Sequence, residues 1–325
     1  MRIRIAINGY GNLGRGVEAA LSLCDDMELV CVFTRRDPAS VKLISGVPVY
    51  AAADAAKYRD AVDVCILCGG SATDLPEQGP LFAQSFNTVD SFDTHARIPE
   101  YFSAMDSALN MSGHLGIISV GWDPGLFSVN RMMNVAILPD GESYTFWGRG
   151  VSQGHSDAIR RIPGVKRAVQ YTVPAQAAVD AVRAGKCPEL TARDKHTREC
   201  WVVLKPGVDA ETVRQAIVTM PNYFSDYNTT VNFIDEEVFE RDHTAMPHGG
   251  FVQRTGQTAI GGTQMIEYSL KLENNPAFTG SVLVAYARAI AKLAKSGETG
   301  ARTVFDIAPA LLSPKSPEEL RATML

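Results

Sequence analysis

Charged and apolar residues alternate at the start of the chain, in Arg2-Ile3-Arg4-Ile5-Ala6-Ile7, and the alternation then gives way to an apolar run. That pattern predicts a strand entering a core. Gly9-Tyr10-Gly11-Asn12-Leu13-Gly14 follows directly, with a helix expected from near Asn12. Leu29 to Phe33 and Val62 to Cys68 are apolar runs of strand length. Residues 75–86 read as a helix opened near Pro76, Asn87 to Asp90 as a strand, 99–112 as a helix and Leu115 to Val120 as another strand. Strands alternating with helices in this way predict a parallel α/β sheet over roughly the first 120 residues.

The pattern then changes. Residues 126–139 read as helical, Glu142 to Trp147 as a strand, and Gly148 to Asp157 as a polar, Gly-rich loop. Val169 to Val173, Cys200 to Leu204, Thr229 to Ile234 and Met265 to Leu272 are further strands, with one clear helix at Glu211 to Val218. Mixed spacing with few helices predicts a second domain of α+β type built on a largely open sheet. Thr279 to Lys295 carries Val282, Ala285, Tyr286, Ala289, Ile290 and Leu293 on one stripe, so this last helix is expected to pack on the first domain. The domains expected are 1–121, completed by about 276–325, and 122–275.

The Gly9 to Gly14 run gains meaning from its place between a strand and a helix. In a doubly wound, Rossmann-type sheet the first glycine makes a tight turn, the second lets backbone approach a pyrophosphate, and the third lets helix and strand pack closely. The helix N-terminus then offers N–H groups to the phosphates. An acid normally closes the second strand and accepts the ribose 2′-OH. Here Thr34-Arg35-Arg36 stands in that place, and guanidinium groups bind a 2′-phosphate in pairs. NADP is therefore expected in preference to NAD.

At 325 residues with 46% hydrophobic content the chain can fill two cores. A formal net charge of −5 gives no basic field for a polyanion, so nucleic acid is not expected as a partner. No secretory signal and no run of membrane-spanning length is legible, and the protein is expected to be cytoplasmic and not membrane-bound. Six cysteines without framework spacing suit a reducing compartment. Cys65-Ile66-Leu67-Cys68 reads as two inert thiols in a buried strand, and no metal site is expected.

Candidate chemistry lies at strand ends and in a few loops. Asp93 and His95, then Trp122 and Asp123, fall where a doubly wound sheet places its substrate, and Cys68-Gly69-Gly70-Ser71 is a second glycine loop. Ser152, His155 and Asp157 could suggest a hydrolytic triad, but adjacency along the chain does not make the three converge. That loop fits backbone recognition of a substrate carboxylate better. Met246-Pro247-His248-Gly249-Gly250 is expected to put His248 on a turn, and Arg198 could hold a carboxylate bidentately.

Taken in order, these segments resemble the meso-diaminopimelate dehydrogenases, NADP-dependent enzymes of bacterial lysine and cell-wall precursor metabolism. The likeness covers nearly the whole chain, and Gly121-Trp122-Asp123-Pro124-Gly125 together with Gln153-Gly154-His155-Ser156-Asp157 is its most specific part. It implies oxidative deamination of the D-centre of meso-2,6-diaminopimelate, reversibly, with Asp93 and Asp123 as the catalytic pair. It implies that Asp93, Trp122 and Asp123 surround the D-amino centre with Trp147, Gln153 and Gly154 nearby. Thr172, Arg198 and His248 would hold the distal carboxylate, and Asn275 the distal L-amino acid end. NADP would lie on Gly9, Tyr10, Gly11, Asn12, Leu13 and Gly14, on Thr34, Arg35 and Arg36, and on Cys68, Gly69, Gly70 and Ser71. Phe92, Asp93, Thr94, Asp123, Pro124 and Gly125 would also reach it. Gly70 departs from the family pattern, where a bulkier residue stands, which bears on loop shape. The resemblance further implies a homodimer through the 122–275 domain and a closing motion about hinges near 121–125 and 275–280. A broader NADP-dependent D-amino acid dehydrogenase is the alternative, separated from the first reading only by the distal-end residues.

Overall fold

The computed structural model describes residues 2–325, and these divide into two compact units. The first reaches Val129 and takes up Pro276–Leu325; the second is Asn130–Asn275. In chain order, β1 (Ile3–Asn8), β2 (Met27–Thr34), β3 (Val49–Ala51), β4 (Val64–Leu67), β5 (Asn87–Asp90) and β6 (Leu115–Ile117) belong to the first unit. The second holds β7 (Gly141–Trp147), β8 (Gly150–Val151), β9 (Val165–Pro174), β10 (His196–Leu204), β11 (Asn228–Phe233), β12 (His248–Gln257) and β13 (Thr263–Leu272). β14 (Gly300–Arg302) returns to the first.

The first unit is a doubly wound parallel sheet in the order β14-β6-β5-β4-β1-β2-β3. Side chains of a strand alternate between faces. Ile3, Ile5 and Ile7 accordingly join a core with Val17, Leu283 and Ile290, while Ala6 joins the opposite core with Phe33, Leu75, Phe82 and Met105. The strand order reverses between β1 and β4, and in sheets of this kind ligands bind outside the carboxyl ends of the strands at that reversal. The helix Asn275–Lys295 begins four residues before the apolar stripe that predicts it from Thr279. It has the length and apolarity of a membrane span, unlike the expectation from sequence, but Val282, Leu283, Tyr286, Ala287 and Ile290 are buried in the core of the first unit.

The second unit departs from the single open sheet expected. It has a four-stranded sheet β11-β10-β9-β8 and a three-stranded antiparallel sheet β13-β12-β7. β12 is the strand without a readable pattern: Gly249, Gly250 and Gly256 interrupt it, and its central residues Gln253, Arg254 and Thr255 are polar yet buried. Arg254 is satisfied by the carbonyls of Leu138 and Pro139 and by Ser143 Oγ. His248 therefore opens a strand rather than sitting on a turn. The expected loop 148–157 is also more ordered than its glycines suggest, forming β8 and then the helix Gln153–Arg160, which buries Ser156 and Ile159.

Candidate active-site residues in the two units

The three glycines at the end of β1 take separate parts. Gly9 is at φ +92°, where a side chain is strained, and its N–H donates to Phe33 O at 2.9 Å. A Cβ on Gly14 would stand 2.3 Å from Gly9 O, so only glycine lets the helix Asn12–Leu21 meet the turn. A Cβ on Gly11 would meet nothing within 4 Å. The open middle glycine beside a helix N-terminus fits an approaching pyrophosphate.

Thr34-Arg35-Arg36 lies at the end of β2 beside this turn. Arg36 Nη2 donates to Tyr10 O at 2.6 Å, and Arg36 N–H donates to Thr34 Oγ1 at 3.1 Å. Arg35 pairs with Asp74 at 2.6 Å, and Asp74 also accepts the Gly70 N–H at 3.0 Å. Despite burial, the Gly70 amide and Arg35 hold the Asp74 carboxyl below its ordinary range. Asp74 is thus a link between the arginine pair and the Cys68–Ser71 loop. Its one sequence signal was its place just before Leu75-Pro76, at the start of a helix. These residues fit an NADP with its 2′-phosphate at the arginine pair.

The loops after β4, β5 and β6 are stitched to one another. Asp93 N–H donates to Ser71 Oγ at 3.0 Å, and Ser71 Oγ donates to Ser91 O at 3.4 Å. Gly121–Gly125 forms a closed turn in which Leu126 N–H donates to Gly121 O at 3.0 Å and Phe127 N–H to Trp122 O at 2.8 Å. Gly125 is at φ +127°, and a Cβ there would fall 1.8 Å from Gly121 O. Trp122 is buried, edge-on to Phe127 with ring centroids 5.3 Å apart. Asp93 is exposed and Asp123 half-buried, on the loops of two adjacent strands.

In the second unit two of the residues expected at the distal carboxylate, Thr172 and Arg198, come together through sheet register. Gly150 of β8 pairs with Thr172 of β9, Thr172 with Arg198 of β10, and Arg198 with Thr229 of β11, one rung across four strands. Arg198 is buried, donates from Nη1 to Thr172 Oγ1, and lies 4.0 Å over the Tyr227 ring. Its Nε has no hydrogen-bond partner among the described residues. Burial pulls the Arg198 guanidinium below its ordinary range. His248 packs on Gly150, where a Cβ would stand 2.5 Å from its ring. Asn275 N–H donates to Met246 O at 3.0 Å, which ties Asn275 to the segment that leads into His248.

Trp147 closes β7, and Gln153-Gly154 open the helix Gln153–Arg160. Trp147 N–H donates to His196 Nε2 at 2.8 Å and its ring stacks on His196 at 5.2 Å. Burial, then Arg198, lowers His196 to about 4, so it is neutral near pH 7 and accepts that bond. His196 and Tyr227 are partners that sequence reading missed: the strand expected from Cys200 in fact begins at His196, whose alternating burial is visible only in the structure. Ser152 Oγ and His155 Nδ1 are 2.7 Å apart, but Asp157 pairs with Arg160, so the three do not form a relay. Cys65 is buried in β4, and burial raises its thiol well above the ordinary range. Among the described residues no group of three His, Cys, Asp or Glu could hold a metal ion.

The chain is similar to proteins of known family over its whole length. Residues 121–274 match the family model of the diaminopimelic acid dehydrogenase C-terminal domain. The meso-diaminopimelate D-dehydrogenase of Lysinibacillus sphaericus is 64% identical, over 99% of this chain and 99% of its own. The solved Corynebacterium glutamicum DAP dehydrogenase in complex with DAP superposes with a TM-score of 0.92 at 48% identity, covering 100% of this chain and 99% of that one. A solved engineered D-amino acid dehydrogenase bound to NADP+ gives a TM-score of 0.87 at 46% identity, covering 100% of both chains.

Proposed function

The chain belongs to the meso-diaminopimelate D-dehydrogenase family, and on that premise we propose which of its side chains carry the reaction. The reaction is the NADP-dependent, reversible oxidative deamination of the D-centre of meso-2,6-diaminopimelate to L-2-amino-6-oxopimelate and ammonia, in lysine biosynthesis. NADP supplies the hydride acceptor when bound. Gly9 to Gly14, Thr34-Arg35-Arg36 and Cys68 to Ser71 hold it, with Phe92 to Thr94 and Asp123 to Gly125 reaching its reactive end. Residues 1–121 with about 276–325 form the dinucleotide-binding domain, and 122–275 the substrate-binding and dimerisation domain.

Hydride leaves a carbon that bears a neutral amine more readily than one that bears an ammonium. Asp93 and Asp123 therefore orient the D-ammonium and take its proton, and Trp122 limits bulk water there. Two electrons and the hydrogen leave the D-carbon as hydride, giving an iminium. Water adds to that carbon, and the C–N bond then breaks to leave a carbonyl and release ammonia. Thr172, Arg198 and His248 bind the distal carboxylate, Asn275 holds the distal L-amino acid end, and Trp147, Gln153 and Gly154 lie near the D-amino centre. The observation that carries this reading is Arg198: a buried guanidinium with Nε unpartnered among the described residues calls for an anion.

Exposed Met132, Met133, Val135 and Ile137 on one helix of the second unit support assembly as a homodimer through that unit, and the enzyme is taken as cytoplasmic. The deciding experiment is NADP reduction with meso-, LL- and DD-diaminopimelate and with D-alanine, repeated with NAD. Fast turnover of the meso isomer alone with NADP is expected. Comparable rates with D-alanine would overturn the roles given to Arg198, Thr172, His248 and Asn275.

A further inference from the structure

Asp90, the last residue of β5, is fully buried, and it ties together the two loops that carry the acids assigned to the D-centre. Its Oδ1 accepts the Phe92 N–H at 2.9 Å and the Ser119 N–H at 3.1 Å. Its Oδ2 accepts the Tyr101 hydroxyl at 2.9 Å. Phe92 immediately precedes Asp93, and Ser119 lies four residues before Asp123 on the neighbouring loop. A backbone bond runs alongside, from Val120 N–H to Asp90 O at 2.8 Å.

Two further observations show that the knot is built rather than incidental. The Tyr101 ring stacks on Phe92 with centroids 4.2 Å apart and planes 18° from parallel, so one side chain grips both the carboxylate and the loop it holds. Ser119 is at φ +58°, a left-handed conformation that strains a residue with a Cβ and persists only when its surroundings fix it. The Asp90 carboxylate provides that fixing bond. Burial drives its pKa up to about 6, against the pull of the Phe92 and Ser119 amides, and among the described residues no cation is one of its partners. An apolar side chain at this buried site would cost less in solvation. What the carboxylate adds is an acceptor facing two separate loops.

We propose that Asp90, together with Tyr101, is a positioning residue that sets the spacing of Asp93 and Asp123, acting only through the Phe92 and Ser119 amides. The proposal rests on the reading that Asp93 and Asp123 handle the D-ammonium. The glycine turn at Gly9 to Gly14 and the arginine pair, which carry most of the affinity for NADP in this reading, lie outside the knot, so the main defect expected on breaking it is in chemistry, with only a small loss of cofactor affinity.

The test uses the full-length enzyme with saturating NADP and meso-diaminopimelate carrying hydrogen or deuterium at the D-carbon. Asp90→Ala should lower kcat roughly 100-fold, as a misplacement of about 1 Å does, and raise the deuterium isotope effect, while KM for NADP stays within about threefold. Asp90→Asn keeps an oxygen that can accept both amides and should recover to within about tenfold of the parent kcat. Tyr101→Phe should fall between the two. A soluble Asp90→Ala enzyme with parental kcat would overturn the proposal, as would an Asp90→Asn enzyme as slow as Asp90→Ala. If Asp90→Ala does not fold, Tyr101→Phe decides, and a parental kcat and isotope effect there overturn it. Asp93→Asn run in parallel separates the two ideas: unaltered turnover in that variant removes the premise, whatever Asp90 does.

Discussion

The two units hold the side chains proposed for the reaction by different means. In the first, Asp93 and Asp123 stand on loops beyond strand ends, and their positions depend on hydrogen bonds between loops, through Ser71 and Asp90. In the second, Thr172 and Arg198 stand on paired strands, and the register of β9 and β10 alone sets them side by side. Loops can place acids where a reacting centre arrives, at the cost of needing extra fastening. A sheet face gives a fixed, buried cation suited to recognising a group that does not react. The acids should therefore govern turnover and the sheet residues substrate affinity.

The largest break in that division comes from Asp93. Asp93→Ala should reduce kcat by a factor on the order of 10²–10⁴, the span typical for loss of a proton-handling group, with NADP affinity measured by titration nearly unchanged. A comparable fall in NADP affinity would mean that Asp93 acts mainly through the loop's contact with the cofactor and not as a proton-handling group. Arg198→Met replaces the buried guanidinium with an apolar chain of similar length. It should raise KM for meso-diaminopimelate about 100-fold, as loss of a paired charged hydrogen bond implies, while kcat changes far less. Equal losses in kcat and kcat/KM would dissolve the contrast between the units. Replacing Arg35 and Arg36 together by Ser should weaken NADP about 10- to 100-fold, leave NAD nearly alone and leave isomer selectivity intact. That outcome confines the arginine pair to the cofactor.

The same contrast explains what the sequence revealed. The parallel sheet was legible because buried parallel strands are continuous apolar runs, and the glycines between β1 and the following helix each have a separate steric task. The arginine pair was legible by its place at the end of β2. β12 was not: a strand with glycines and buried polar residues carries no alternation, and its stability comes from partners far along the chain such as Leu138 O. Among site residues, Arg198, Thr172 and His248 could be nominated one by one, but their convergence depends on register and on His248 packing over Gly150. Asp74, Asp90, His196 and Tyr227 escaped notice because each acts on a group that is remote in sequence or through backbone amides.

Acid should separate the units by the sign of their response, with the smallest effect expected here. In the second unit, burial lowers His155 and His196 to about 4 in the folded protein, against 6.5 for an ordinary histidine. The unfolded chain then binds more protons between these values, so the stability they contribute is complete above pH 6.5 and is lost as pH falls towards 4. In the first unit, burial raises Asp90 from 3.8 to about 6, so its contribution is complete below 3.8 and is lost as pH rises through 6. From pH 7 to about 5.5, each histidine should remove about 1 kcal/mol, and Asp90 should return somewhat less. Hydrogen exchange followed strand by strand should show β9 and β10 opening more readily in acid, with β4 and β5 unchanged or better protected. His196→Gln should remove about half of the acid loss, in the second unit alone. Uniform acceleration across both units would mean that net charge, and not these three buried groups, controls the acid response.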